Sequence, residues 1–298
     1  MSTLSPRVVM VSRRSEYEEL LARHSTRAAA AYFLRERGRD LDEVEQRHGA
    51  LHAALTAVGA AIPTDWRRGH VDRGDLPRFL FAPEDLVVAV GQDGLVANVA
   101  KYLDGQPVIG IDPEPGRNPG VLVRHLAADA GPLLVSASEG TARRQMRAMV
   151  RAVLDDGQEL IGLNEVYFGH STHQSSRYVI STSDGQRERQ SSSGVVIGTG
   201  TGATGWCASI ARQRADAPSL PEPEEAALAW FVREAWPSPA TQVCLTSGRL
   251  GEADSIEFTS EGERLVVFAD GLESDHLPLA WGQRVEFSVA PRRLCLLV

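Results

Sequence analysis

The chain has 298 residues, 43% of them apolar, and a net charge of −8; this is the composition of a globular protein long enough for two domains with separate cores. So acidic a chain lacks the basic surface that general nucleic-acid or anionic-membrane binding requires, and a phosphate ligand would have to be held by local donors. The three cysteines, Cys207, Cys244 and Cys295, are far apart and without metal-ligand spacing, which predicts small buried thiols in a reducing compartment.

Met1–Arg7 carries no apolar signal-peptide core, and no apolar run approaches the roughly 18 residues of a membrane span. A cytoplasmic location is expected. Val8–Val11 is a short apolar run typical of a first buried strand. Glu16–Arg37 and Leu41–Ala60 place Ala, Leu, Glu and Arg at helical spacing, with Gly38 to end the first helix and Asp40 to cap the second. Leu86–Val90 and Pro107–Ile111 are further strands. Strands alternating with helices predict a parallel sheet covered on both faces.

Directly after Leu86–Val90 comes Gly91-Gln92-Asp93-Gly94, and then Leu95–Leu103 at helical spacing. A strand ending in a glycine-flanked carboxylate at a helix N-terminus lets backbone approach an anion where free N–H groups point. The same pattern also serves as a plain tight connection. The irregular loop 112–120 follows the next strand, at the sheet end where ligands of open α/β sheets bind. Thr141–Asp155 reads as a helix bearing Arg143, Arg144, Arg147 and Arg151, either a solvated face or a phosphate-facing patch.

After residue 158 the pattern changes to short strands: Tyr178–Thr182, Gly194–Ile197, Ser255–Phe258, Arg264–Phe268 and Val285–Val289, with a hairpin turn at Ser183–Gln186. One helix is expected at Glu224–Trp236. The second half is therefore mostly antiparallel β. It holds an adjacent Asn164-Glu165, suited to forking onto a ribose diol or an adenine edge. It also holds the loop Gly198-Thr199-Gly200-Thr201-Gly202-Ala203-Thr204-Gly205-Trp206, which presents backbone N–H groups and hydroxyls and leads into a helix over Cys207–Gln213. A late Asp270-Gly271 ends a strand. Each patch alone also reads as an ordinary turn or edge. Gly200, Gly202 and Gly205 match Gly-x-Gly-x-x-Gly, but they lie in the β-rich half rather than after a first strand, which argues against a dehydrogenase. His170 and His173 are spaced i,i+3 in a Ser/Thr-rich loop and have no evident third metal ligand.

In order and spacing these four patches resemble the NAD kinase family: a Gly-Gly-Asp-Gly turn (here Gly91–Gly94), an Asn-Glu pair (Asn164-Glu165), a Gly/Thr-rich loop ending in an aromatic (Thr199–Trp206) and a late Asp-Gly (Asp270-Gly271). The likeness is greatest to the mitochondrial-type branch, which similarly has a Thr-Gly-Thr-Gly loop ending in Trp, a Ser-Ser-Gly before it (Ser192–Gly194) and a loop like Glu114–Arg117. It covers roughly residues 85–298 with motifs and the N-terminal segment in outline.

The resemblance implies a Rossmann-like α/β domain over residues 1–135, a β-rich, sandwich-like NAD-binding domain over 136–285, and a segment 286–298 returning to the first, the two domains enclosing a cleft. It implies transfer of the γ-phosphate of ATP, or sometimes of polyphosphate, with Mg²⁺, onto the 2′-hydroxyl of the adenosine ribose of NAD(H), giving NADP(H). Asp93 would orient or deprotonate that hydroxyl, and Gly91 and Gly94 would let backbone approach the phosphates. Asn164 and Glu165 would hold ribose and base groups; Thr199, Gly202, Ala203, Thr204 and Trp206 would line the NAD pocket; Asp270 would lie near the transferred group. A homodimer binding small-molecule nucleotides is expected. The metal ligands are not indicated.

Three positions depart from the family. Gln92 replaces the second glycine of the turn and would crowd the phosphate site or offer its amide to a ligand. Leu95 replaces a threonine, and Asp112 an asparagine. These departures keep two alternatives open: a same-fold kinase for another nucleoside or nucleotide hydroxyl, and a non-catalytic nucleotide-binding or regulatory protein.

Overall fold

The computed structural model describes residues 5–117 and 120–298; Met1–Leu4 and, in the loop after the third expected strand, Asn118 and Pro119 lie outside the described residues. The chain divides into two compact units, one ending at Gln145 and regaining Cys295–Val298, the other spanning Met146–Leu294.

In chain order the first unit contains β1 (Arg7–Ser12), α1 (Glu16–His24), α2 (Arg27–Arg35), α3 (Leu41–Ala61), β2 (Arg67–Asp72), β3 (Asp85–Val90), α4 (Asp93–Ala100), β4 (Pro107–Ile111) and α5 (Ala130–Glu139), with β5 (Arg144–Arg147) at its boundary. The second contains β6 (Val150–Leu154), β7 (Glu159–Gly162), β8 (Glu165–His170), β9 (Ser176–Thr182), β10 (Arg187–Ser192), β11 (Val195–Gly198), α6 (Trp206–Ala211), β12 (Leu228–Val232), β13 (Ser247–Leu250), β14 (Ser255–Ser260), β15 (Leu265–Ala269), β16 (His276–Leu279) and β17 (Arg284–Val289). The last strand, β18 (Leu294–Leu297), pairs with β4.

The first unit is a six-stranded sheet of order β2-β1-β3-β4-β18-β5, in which the pairs β2–β1, β1–β3, β3–β4 and β4–β18 are parallel. Every residue of β3 is buried, as expected where helices cover both faces of a parallel sheet. Its core joins Val8, Val88, Val90, Ile109 and Leu297 of the sheet to Val58 of α3 and Leu134 of α5. The register of β1 on β3 pairs Arg7 with Asp85. The fully buried Asp85 carboxylate receives both Arg7 Nε at 2.7 Å and Arg7 Nη2 at 2.5 Å.

The second unit is two six-stranded antiparallel sheets, β10-β9-β14-β17-β6-β7 and β13-β12-β11-β8-β15-β16. A single apolar core takes Tyr178, Phe258 and Phe287 from one sheet and Phe168, Trp230 and Val267 from the other, which makes the unit a sandwich. The fold is therefore α/β plus antiparallel β. No helix among the described residues is long and apolar enough to cross a membrane.

Several expectations are corrected. The helix expected over Glu16–Arg37 is two helices, because Ser25 turns left-handed (φ 64°) and Thr26 caps α2 by accepting from Ala29 N. The helix expected over Thr141–Asp155 is the strands β5 and β6. In β6, Val150, Ala152 and Leu154 alternate inward with a period of two. The arginines therefore share no helical face: Arg147 is buried and donates to Thr201 Oγ1, while Arg151 pairs with Glu159 at 2.7 Å. The helix expected over Glu224–Trp236 contains instead β12, fully buried between β11 and β13. Cys207 and Cys295 are buried, but Cys244 is exposed.

Candidate functional site

The Gly91–Gly94 turn links β3 to α4 as expected. Gln92 sits at φ −99°, ψ 166°, an extended conformation open to any L residue, so the glycine it replaces is not required here for positive φ. Its side chain is exposed and makes no capping bond. Gly91 is tightly placed: a Cβ there would lie 3.1 Å from Leu95 Cδ2. Leu95 is thus a packing residue, buried against the turn, whereas a Cβ on Gly94 would meet open space.

Asp93 is not an isolated carboxylate. Its Oδ1 accepts from Leu122 N at 2.8 Å and Val123 N at 3.0 Å, and its Oδ2 from Val121 N at 2.9 Å. It fastens the loop after β4 to the head of α4 and keeps one further acceptor position on Oδ2. Asp112 is similarly occupied, with Oδ1 accepting from Glu114 N at 2.8 Å in a local turn.

A cavity of about 340 Å³ opens at this end of the sheet, lined among others by Arg13, Arg14, Arg47, Gly91, Gln92 and Glu114. Arg47 is committed to Glu16 and Glu114. Arg13 and Arg14 are exposed and make no ion pair among the described residues. They follow β1 directly, and β1 lies beside β3, so both guanidinium groups belong to the carboxyl end of one strand next to that of β3, the edge at which such sheets bind ligands. They were not singled out from the sequence; the available signal was a basic pair immediately after the first apolar strand.

In the second unit, Asn164, Glu165, Thr199, Gly202 and Asp270 converge. Asp270, in the left-handed region at φ 52°, accepts from Leu163 N at 3.0 Å and Asn164 N at 2.7 Å. Buried Thr199 donates its hydroxyl to Leu163 O at 2.6 Å and accepts from Thr201 N and Gly202 N. Its own N–H donates to Asn164 O at 2.9 Å. Gly202 is essential to this packing, since a Cβ there would fall 2.1 Å from Asn164 O. The residues around 163–164 are thereby fixed from both sides, while the side chains of Asn164 and Glu165 take no hydrogen bond among the described residues. Burial, and secondarily the Asp270 charge, pushes the Glu165 carboxyl up to about 7. Burial, with Glu165 as the lesser cause, pushes the Cys207 thiol up to about 12, so this thiol stays protonated and inert.

Ala203 is partly buried, Thr204 is exposed, and Trp206 begins α6. The Trp206 ring lies nearly parallel to Tyr167 (centroids 6.1 Å apart, 9°), with the Arg233 guanidinium 5.3 Å from its centroid. Together with Phe268, His170 and His276 they line a cavity of about 420 Å³. Tyr167 and Arg233 were not foreseen as partners of Trp206. His170 Nδ1 accepts from Thr172 N at 3.0 Å, and neither His170 nor His173 belongs to a metal-capable cluster among the described residues.

No family model matches the chain. Over 181 residues it is 30% identical to NAD kinase 2, mitochondrial, of Rattus norvegicus, a match covering 45% of this chain and 42% of the rat protein. The chain thus spans less than half the length of that curated relative. Its fold is that of yeast NADH kinase solved with NADH: the TM-score is 0.61 at 13% identity, covering 100% of this chain and 84% of the yeast chain. Over the matched stretch the chain is similar to an NAD kinase. Of the four sequence patches that resemble that family, the acid of the turn, the Asn-Glu pair and the late Asp-Gly are Asp93, Asn164-Glu165 and Asp270-Gly271. Gln92 places an amide at the cavity, and Leu95 fills space against Gly91.

Proposed function

We propose that the chain is an NAD(H) kinase that transfers the γ-phosphoryl group of ATP to the 2′-hydroxyl of the adenosine ribose, giving NADP(H). The observation that carries this reading is the pair of side chains Asn164 and Glu165, which take no hydrogen bond among the described residues, on backbone fixed by Thr199 and Asp270. Such a pair is preorganised to accept from and donate to ribose and base groups. A carboxyl near 7 serves as donor or acceptor at neutral pH.

Phosphoryl transfer depends chiefly on positioning and charge stabilisation. On the donor side Arg13 and Arg14 supply free guanidinium groups, Gln92 supplies an amide, and the N-terminus of α4 supplies backbone N–H groups. Asp93, with one acceptor position open, orients the 2′-hydroxyl. Three backbone donors hold its carboxylate in place, which makes positioning its main contribution. Mg²⁺ carried on ATP would neutralise phosphate charge here, and Asp112, with one oxygen that takes no hydrogen bond among the described residues, would be the carboxylate free to hold it, since Glu114 is paired with Arg47 and Arg117. Asn164, Glu165, Gly202, Ala203, Thr204 and Trp206 form the NAD side.

The test is incubation with ATP, Mg²⁺ and NAD or NADH, with NADP(H) measured through an NADP-specific dehydrogenase. Product is expected, and the double variant Arg13→Ala/Arg14→Ala should raise KM for ATP by tenfold or more, on the order of 1.4 kcal/mol. Folded protein giving no product at high concentration contradicts the reading. The tethering of Asp93 favours a second one, nucleotide binding without transfer; tight NAD binding by calorimetry with no turnover would support it.

A further inference from the structure

Helices α1 and α3 bring together a set of side chains that the kinase reading does not use. His48 and His52 are four residues apart on α3 and so share one face. Glu18 reaches them from the first turn of α1. One ligand atom from each lies within 4.8 Å of the others. Glu18 Oε1 is 3.7 Å from His52 Nε2, and the two imidazole centroids are 4.2 Å apart. A tetrahedral ion with bonds of about 2.0–2.1 Å holds its ligand atoms about 3.3 Å apart, so modest side-chain rotation closes the set.

Two of the three groups are already oriented. His48 Nδ1 lies 2.8 Å from Ser15 Oγ, which also accepts from Glu18 N. With Nδ1 engaged, Nε2 is the nitrogen left for a metal, the arrangement by which outer hydrogen bonds aim ligating histidines. Glu18 Oε2 accepts from Ser15 N at 2.7 Å, leaving Oε1 on the His52 side. One serine thus positions both an imidazole and a carboxylate.

We propose that Glu18, His48 and His52 form a binding site for a first-row divalent transition metal of the zinc class, with coordination positions open to water or an anion. Two imidazoles and one carboxylate suit zinc and its neighbours, whereas Mg²⁺ takes oxygen ligands in near-octahedral geometry. His48 also lines the cavity of Arg13, Arg14 and Gln92, so the ion sits at the rim of that cavity and its open positions can meet an anion bound there. The site stands whether or not the chain transfers phosphate.

The test is calorimetric titration of Zn²⁺ into the full chain after removal of metal with EDTA, in a Cys244→Ser background because an exposed free thiol can bind zinc by itself. One ion per chain is expected. His52→Ala should weaken binding by about tenfold or more, His173→Ala should leave it unchanged, and millimolar Mg²⁺ should not compete. Co²⁺ should give visible absorption bands that vanish in His52→Ala. His52 is half exposed, so its loss leaves the fold intact, which circular dichroism checks. Equal zinc affinity in the His52→Ala variant and its parent, or no zinc binding in the parent, overturns the proposal.

Discussion

The carboxylate of Asp93 accepts three backbone N–H groups and that of Asp270 accepts two, so each acid of an Asp-Gly turn fixes a neighbouring loop. Glu165 is different: it is largely buried, lacks a hydrogen-bond partner among the described residues, and has its carboxyl raised to about 7. Below pH 4.5 this group is protonated both folded and unfolded. Between 4.5 and about 7 the unfolded chain loses the proton and the native state keeps it, so stability falls as pH rises, and above about 7 the loss is complete. The size is at most roughly 3 kcal/mol. In urea unfolding, Glu165→Gln should therefore gain on the parent by up to that amount between pH 4.5 and pH 8; parallel pH profiles would refute the assignment. The glycines separate in the same way. Gly202→Ala should cost roughly 1–3 kcal/mol or more by overpacking on Asn164 O. Gly94→Ala, in open space early in α4, should be neutral or gain up to about 1 kcal/mol while raising KM for ATP. Thermal unfolding and initial rates on both variants decide this.

At the scale of elements, β1, β3 and β4 were legible because parallel, doubly covered strands read as continuous apolar β-branched runs. β12 was not: Leu-Ala-Trp-Phe-Val is apolar at every position, and such a run does not distinguish helix from strand by periodicity. For β6, read as part of an arginine-bearing helix, the inward Val150, Ala152 and Leu154 carry the period of a strand. In the candidate site, Asn164, Glu165, Thr199 and Asp270 were legible as motif residues. Arg13 and Arg14 were not, since their place at the cavity depends on β1 lying beside β3. The Arg7–Asp85 pair joins the same two strands. Arg7→Ala leaves a buried carboxylate with Ala82 N as its remaining hydrogen-bond donor among the described residues, and should destabilise the protein by about 3–5 kcal/mol. A change under 1 kcal/mol in urea unfolding would show that the pair does not hold the register.

For the molecule as a whole, each unit has its own core, and the first is completed by the last strand of the chain. Residues of β18 pair with β4, Leu297 joins the core of the sheet, and His125 Nε2 lies 3.1 Å from Leu297 O. Deleting residues 294–298 should therefore abolish cooperative thermal unfolding of the first unit and leave an aggregation-prone sheet edge. A truncated chain with an unchanged transition would contradict this architecture. The central claim is that a fixed Asn164–Glu165 scaffold and the Arg13–Arg14–Gln92 cavity serve phosphorylation of the 2′-hydroxyl of NAD(H). Phosphorus-31 NMR of the protein with ATP, Mg²⁺ and NAD reads this bond directly. The account predicts a growing phosphomonoester resonance of the 2′-phosphate with matching loss of ATP γ-phosphate; folded protein that yields no 2′-phosphomonoester, or a phosphate on a different hydroxyl, would contradict it.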